Sequence, residues 1–278
     1  MSTLPIPDQQ LYLLKRSESC EDSDEGFRFA GNLVVYRAKG SLFHAMLKGR
    51  LSSSNFDPES LINVKEIPTW GYRPRFSIEF MLALKTLPND CFIKKPSLIS
   101  YGRISEGPRQ NLIAKDFLKE VKICELLIQR PHPNIAVYLG CQVSDGTITG
   151  LYLKYSRTLM KEVNPGALMK RALRDTREAM SDYSHILTGI ESGIRHLRPS
   201  GLVHNDINPS NMMIENDRAI IIDFRSCRKL GESLEDVGRT YEWYMEKLQQ
   251  SFLENDFNAL EEILIWLGVS SKEFQFDI

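Results

Sequence analysis

The 278-residue sequence lacks most of the features that would place it quickly. It has no excess charge of either sign: 35 Lys and Arg stand against 36 Asp and Glu. No global field therefore steers nucleic acid, an anionic membrane or a polyanionic substrate toward it, and neither nucleic acid nor membrane is an expected partner. The five cysteines (Cys20, Cys91, Cys124, Cys141, Cys227) are odd in number, scattered, and without the C-x-x-C spacing of zinc sites and redox motifs. They read as reduced thiols in an intracellular protein. Long apolar runs are missing too. The longest, such as "AIII" and "ILIWLGV", fall far short of a membrane span, and the opening "MSTLPIPDQQLYLLKRSESCEDSDEG" has no apolar signal-peptide core. The expected location is cytoplasmic or nuclear. His44, His132, His185 and His196 form no metal-like cluster, which disfavours zinc. No internal repeat is present.

What is present changes character along the chain. Up to about residue 27 the sequence is polar and ends in "SESCEDSDEG", which cannot bury enough apolar surface to order itself, so a loose leader is expected. Beyond it "LVVY" reads as a strand, "SLFHAMLKGRL" as a possible helix and "SSSNFDPES" as a loop. "FSIEFMLALKTL", the turn "PND" and "CFIKKP" read as a hairpin, in which Phe92 and Lys94, two apart, share a face. "AKDFLKEVKICELLIQR" is an amphipathic helix, with Phe117, Val121, Cys124 and Ile128 at helical spacing and "PHPN" ending it. "IAVYLGCQV" and "TITGLYLKY" are strands joined by the tight-turn sequence "SDG". After Tyr155 helical patterns dominate. Ala167 to Met180 is one; "YSHILTGIESGIRHL" is another, with Leu187, Ile190, Ile194 and Leu197 on one face; "NDFNALEEILIWLG" is the last. Strands then helices is the α+β ordering.

One stretch concentrates the chemistry: "GLVHNDINPSNMMIENDRAIIIDF", residues 201 to 224. It places Asp206 and Asn211 in a turn-rich segment, then runs through "MMI" and "AIII", a hairpin pattern that would return a second acid, Asp223, near the first. Carboxylates and an amide carbonyl are hard oxygen ligands suited to Mg²⁺, which keeps a few protein ligands alongside phosphate oxygens and water. In phosphoryl transfer one acid can orient or deprotonate the attacking hydroxyl while the other, with an Asn, holds metal on the nucleotide.

These residues resemble the protein-kinase-like superfamily. "VHNDINPSN" matches its catalytic-loop pattern and "IIDFRS" its D-F-G metal motif, in the family's order and at about its interval. The resemblance covers roughly residues 80 to 268 and is similar to that of compact fungal protein-kinase-like chains. It implies a two-lobed α+β fold: an extension over 1–75, a strand-rich N-lobe over 76–154 and a short helical C-lobe over 155–278. It implies ATP and Mg²⁺ as nucleotide and metal, and a Ser/Thr hydroxyl of a protein as acceptor, with a small hydroxyl compound or no transfer at all as the alternatives. By the resemblance Asp206 is the catalytic base, Asn211 and Asp223 the Mg²⁺ ligands, and His204 a structural histidine beneath the loop. Lys94, with Lys95 as fallback, contacts the phosphates; Glu120 pairs with Lys94; Leu153, Lys154 and Tyr155 line the adenine edge; Asp256 supports the catalytic loop.

Six departures from the family pattern carry consequences. No glycine-rich loop precedes Lys94, so backbone amides cannot cradle phosphates as closely. Phe92 stands where the family has a small residue over the adenine. Asn205 replaces an Arg that reads a phosphorylated loop. Asn208 replaces a lysine, donating a hydrogen bond but no charge to the γ-phosphate. Arg225 replaces the D-F-G glycine and is a candidate for the missing charge. No A-P-E motif follows, so the platform for a protein substrate looks reduced.

Overall fold

The run "LVVY" lies at the centre of strand β2 (Gly26–Ala38), where Val34, Val35 and Tyr36 are all buried. A strand covered on both faces has no need to alternate. It pairs on one side with β1 (Tyr12–Ser23) and on the other with β3 (Ser41–Leu47), which pairs with β4 (Leu61–Ile67), giving an antiparallel sheet in the order β1-β2-β3-β4. The computed structural model describes residues 11–23, 26–49, 58–164, 170 and 184–276. They divide into two units, one of residues up to 76 with 95–118 and 143–149, the other of 77–94, 119–142 and 150 onward.

Two expectations fail in the first unit. Residues 12–23 of the expected leader are β1, laddered to β2 from Tyr12↔Arg37 to Ser23↔Gly26 with register shifts between Leu13 and Lys15 and between Ser19 and Cys20. Its Lys15, Arg16, Ser17 and Glu18 stay exposed on an edge strand. Its order comes from the backbone ladder and from Leu11 and Leu13 packing on Val34, Tyr36 and Ala45, not from burial of its polar tract. "SLFHAMLKGRL" is not a helix: residues 41–47 form β3, turned out of β2 at Lys39 and Gly40, both at positive φ. Leu42 and His44 face one side of the sheet while Phe43 and Ala45 face the other, so apolar residues on both faces mimicked a helical stripe.

On the Leu42 face, Val35, Leu42 and Ile67 pack with Tyr72, Leu98, Tyr101 and Ile113. Tyr72, Tyr101 and Ile113 come from the one-turn helices α1 (Thr69–Tyr72) and α2 (Tyr101–Ile104) and the start of α3 (Leu112–Ile128), and Leu98 from the segment before α2. His44 is buried, and its Nε2 lies 2.9 Å from the Ile99 carbonyl, which can only accept, so Nε2 carries the proton. Burial, outweighing that bond, lowers the His44 pKa, and Nδ1 is left as a lone-pair acceptor. A Cβ on Gly102 would stand 2.4 Å from His44 Cε1. Helix propensity alone favours Gly102→Ala by about 1 kcal/mol. The ring is held and buried, so the clash dominates: the variant is expected to lose about 1–3 kcal/mol in chemical denaturation, and a gain would show that the ring moves freely.

A three-stranded sheet β5-β7-β6, in the second unit except for residues 143–149, has β5 (Cys91–Lys94) pairing β7 (Thr147–Lys154), Lys94 opposite Leu151, and β6 (Tyr138–Ser144) beyond. The β6–β7 turn uses Asp145 and Gly146, both at positive φ, the twist a two-residue hairpin needs. "FSIEFMLALKTL" does not pair with β5 as expected. It runs irregularly beside β6 through Ala83 N to Cys141 O (3.0 Å) and Cys141 N to Met81 O (2.7 Å), leaving Ile78 and Leu84 exposed. Gly140 permits this approach, since a Cβ there would sit 2.6 Å from Ala83 N. β5 is consequently an edge among the described residues.

The helices follow the 3.6-residue pattern. After the short α4 (Leu159–Val163), α5 (Ser184–Leu197) buries Leu187, Ile190, Ile194 and Leu197, and α6 (Leu253–Trp266) buries Leu260 and Ile263. The helix expected over Ala167–Met180 lies outside the described residues except for Lys170. That lysine is buried: Nζ sits 2.6 Å from Glu262 Oε2 on α6 and over the rings of Phe274 (4.4 Å), Trp243 (5.4 Å) and Phe276 (5.8 Å). Glu262 Oε1 in turn accepts from the backbone N–H groups of Gln275 and Phe276, fastening the 274–276 segment to α6. The chain is thus α+β, strand-rich in its N-terminal region with helices following. Among the described residues no helix is long and apolar enough to cross a membrane.

Candidate functional site

The hairpin read from "MMI" and "AIII" exists. β10 (Met212–Glu215) pairs with β11 (Arg218–Ile221), Met212 opposite Ile221, around a turn at Asn216 and Asp217, both at positive φ. β8 (Arg157–Thr158) adds to β10, and β9 (Leu202–Val203) pairs with β12 (Arg228–Lys229). The Ile222 N–H bonds to the Asn211 carbonyl at 3.0 Å. The register therefore places Asn211, at the end of the loop, across from Ile222 and Asp223.

Asp223 takes a left-handed backbone (φ 63°, ψ 76°) and accepts from the Arg225 N–H at 3.3 Å. Such a conformation is strained for a non-glycine residue. It accompanies an ion pair: Lys94 Nζ lies 2.7 Å from Asp223 Oδ1 and 2.6 Å from Glu120 Oε1. Burial works to raise the Asp223 pKa, but the Lys94 charge and hydrogen bond, with Arg225 adding, hold it below the usual range. For Lys94 burial opposes the charge and the two carboxylates overcome it, so its pKa is raised. Glu120 is raised by burial in spite of Lys94, and its Oε2 has no hydrogen-bond partner among the described residues. One cation thus links strand β5, helix α3 and the end of the hairpin. Lys95 is exposed.

Asp206 is the most heavily bonded carboxylate of the loop. It accepts from Asn211 Nδ2 (2.8 Å), Asn208 Nδ2 (3.2 Å), the Thr240 N–H (2.7 Å) and Thr240 Oγ1 (3.1 Å). Burial pushes its pKa up to about 6 although those bonds oppose it. Asn208 is fully buried; its amide donates to Asp206 and to Thr240 Oγ1, while its carbonyl accepts from the Ser210 N–H. It braces the loop. Thr240 was not found from sequence: it lies 34 positions after Asp206 in no recognisable motif, and only a long-range contact reveals it.

Beneath the loop, Asp256 of α6 accepts the backbone N–H groups of His204 and Asn205, each at 2.7 Å. Its carboxyl is buried, and burial raises its pKa to about 7. Asn205, itself at φ 63°, uses its side chain inside the structure, donating to the Val203 carbonyl and Ser251 Oγ and accepting from Asn255. His204 is buried, with Nε2 3.0 Å from the Ile222 carbonyl; burial lowers its pKa to about 4, so it stays neutral. At the other expected edge, Leu153 is buried, Tyr155 meets the half-exposed Phe92 ring at 5.3 Å, and the Lys154 ammonium pairs with Glu215 at 2.8 Å. The Lys154 side chain is thus engaged elsewhere, and its backbone N–H is donated to the Val137 carbonyl at 2.9 Å.

The loop after α3 is anchored as well. Asn134 donates through Nδ2 to the Ala219 carbonyl (2.7 Å), and its own carbonyl accepts the Ile221 N–H (2.9 Å). Gly189 and Gly193, one turn apart on α5, leave room for it; a Cβ on Gly189 would stand 2.5 Å from Asn134 Nδ2.

Among the described residues no cluster of three or more His, Cys, Asp or Glu could hold a metal ion by itself. Asp223 and the Asn211 carbonyl oxygen supply two hard donors, a set that suits Mg²⁺ completed by phosphate oxygens and water and does not suit zinc.

Comparison with known proteins points to one family. A model described as "Protein kinase domain" matches residues 99–250, just over half of the chain. The chain is 31% identical over 121 residues to the probable serine/threonine-protein kinase irlC of Dictyostelium discoideum, covering 42% of this chain and 8% of that protein. It is 28% identical over 120 residues to the serine/threonine-protein kinase KIN4 of Saccharomyces cerevisiae (42% and 14%), and 28% over 123 residues to the stress-activated protein kinase jnk-1 of Caenorhabditis elegans (44% and 25%). The chain spans a quarter or less of the length of each. The likeness is not specifically fungal.

Proposed function

We infer the activity from one premise: the chain belongs to the protein kinase domain family. It binds Mg·ATP and passes the γ-phosphoryl group to a Ser or Thr hydroxyl of a protein. The observation that carries this is Lys94 joined at once to Glu120 and Asp223, with Asp223 returned by the hairpin to the end of the loop bearing Asp206 and Asn211.

Each residue then has a task. Glu120 holds Lys94 in place, and Lys94 neutralises nucleotide phosphates. Asp223 and Asn211 would hold Mg²⁺, which when bound neutralises charge on the triphosphate. Asp206 orients the acceptor hydroxyl and takes its proton as the new O–P bond forms and the bond to the ADP leaving group breaks. Thr240 and Asn208 position Asp206. With a pKa of about 6, Asp206 is competent only when deprotonated. Transfer should rise with pH, plateau above about 7, and be about tenfold lower at pH 5; a flat profile would remove Asp206 from the proton-accepting role.

A second reading, a nucleotide-binding module without transfer, is favoured by the glycine-free approach to β5 and by Asn208, whose amide is committed to the loop. Thermal-shift titration with Mg·ATP, followed by radiolabelled transfer to a protein mixture and to a small-metabolite pool, separates the two. Ligand binding to the native state stabilises by mass action. The wild type should shift and label protein, and Asp223→Ala should shift much less. A shift with no labelling supports the second reading, labelling confined to metabolites changes the acceptor, and no shift in either protein removes both readings.

A further inference from the structure

One face of the first unit's sheet, together with residues 99–106, lines a half-open cavity of about 430 Å³ that takes no part in the site above. Strand registers shape it. Gly31, Leu33 and Val35 lie on one face of β2; Leu33 lines the cavity, and the side-chain space at Gly31 is taken by Met46, since a Cβ there would stand 3.0 Å from Met46 Cε. Met46 and His44 continue the face on β3, opposite Leu33 and Val35. On β4 the register slips between His44 and Met46, and Asn63 adopts a left-handed backbone (φ 53°) at the bulge. Bulges and strained non-glycine residues concentrate where a strand is re-aimed around a site. Residues 99–106 cap the space.

The lining is chemically uneven. Leu33, Met46 and Ile99 give it an apolar body, and the buried His44 contributes a neutral ring whose Nε2 is already committed to the Ile99 carbonyl. Lys65 is spent: its ammonium donates to the Gly102 carbonyl, Ser105 Oγ and Glu106 Oε1 at 3.1, 3.2 and 2.7 Å, which also neutralises the one acid of the lining. Arg103, exposed at the mouth, has no ion-pair partner among the described residues. The volume falls in the range of small-molecule sites.

We propose that this cavity binds a small organic acid, an apolar body seated on Leu33, Met46 and Ile99 with its single anionic head group on Arg103. A site in the strand-rich N-terminal sheet gives this chain a ligand other than the nucleotide.

The test uses anilinonaphthalene sulfonate, which has that chemistry, on the full chain. Fluorescence titration should show saturable one-to-one binding, displaced by octanoate and not by octylammonium. Arg103→Glu reverses an exposed charge and should weaken binding about tenfold or more, whereas Arg37→Glu, the same charge change at an exposed position elsewhere on β2, should leave it unchanged. Absence of saturable binding, displacement by octylammonium as readily as by octanoate, or equal effects of the two substitutions would each overturn the proposal.

Discussion

Asp206→Asn should lower phosphoryl transfer by about 10²–10⁴-fold, the range lost when a positioned general base is removed, while leaving the Mg·ATP thermal shift nearly intact. The split is the informative part. In the proposed mechanism Asp206 touches neither the metal nor the phosphates, so nucleotide binding survives its neutralisation. Asparagine keeps the shape but not the acceptor capacity. Both Asp206 oxygens receive donors, Oδ1 from the Thr240 N–H and Asn208, Oδ2 from Asn211 and Thr240 Oγ1. Whichever way the amide turns, its NH₂ faces a donor. Initial-rate transfer and thermal shift measured on one preparation check this, and transfer equal to wild type would clear Asp206.

The largest effect on stability is expected at the buried Lys170–Glu262 pair. Both side chains are essentially inaccessible, 2% and 0% exposed. Removing one member of a buried pair leaves the other charge uncompensated and costs about 3–5 kcal/mol. Against a typical total of about 5–15 kcal/mol, Lys170→Met alone should bring this unit close to unfolding at 37 °C. Trp243 and Trp266 meet edge to face at 5.5 Å beside the pair, so tryptophan fluorescence in urea follows the region directly. Adding Glu262→Gln to Lys170→Met should cost little more, because the penalty lies in the stranded charge. A full second increment in the double variant would show that the two act independently.

How much could be read beforehand depended on the range of the interaction. The hairpin bearing Asp223 was legible because its turn chemistry is local: Asn216 and Asp217 tolerate positive φ between two apolar runs. Helices α3, α5 and α6 were legible from period alone. Residues 41–47 were misread because burial on both faces erases the alternation that identifies a strand. The β1 tract was misread because its order is lent by β2, a partner whose pairing its own composition does not encode. The irregular run before β5 kept a strand-like composition, yet it meets β6 only where Gly140 lets backbone approach backbone. Thr240 and Lys170 belong to contacts 34 and 92 positions long; no local pattern announces either.

The docking of Asn134 makes one end of a lever. Fixed to β11 and seated against α5, it lies just beyond the C-terminal end of α3, whereas Glu120 stands about 12 Å back along the axis from Ile128, at about 1.5 Å per residue. A tilt of about 10° around that fulcrum displaces Glu120 by about 2 Å, enough to uncouple it from Lys94. The 2.6 Å contact between Lys94 and Glu120 therefore depends on how firmly Asn134 fixes the chain at the C-terminal end of α3.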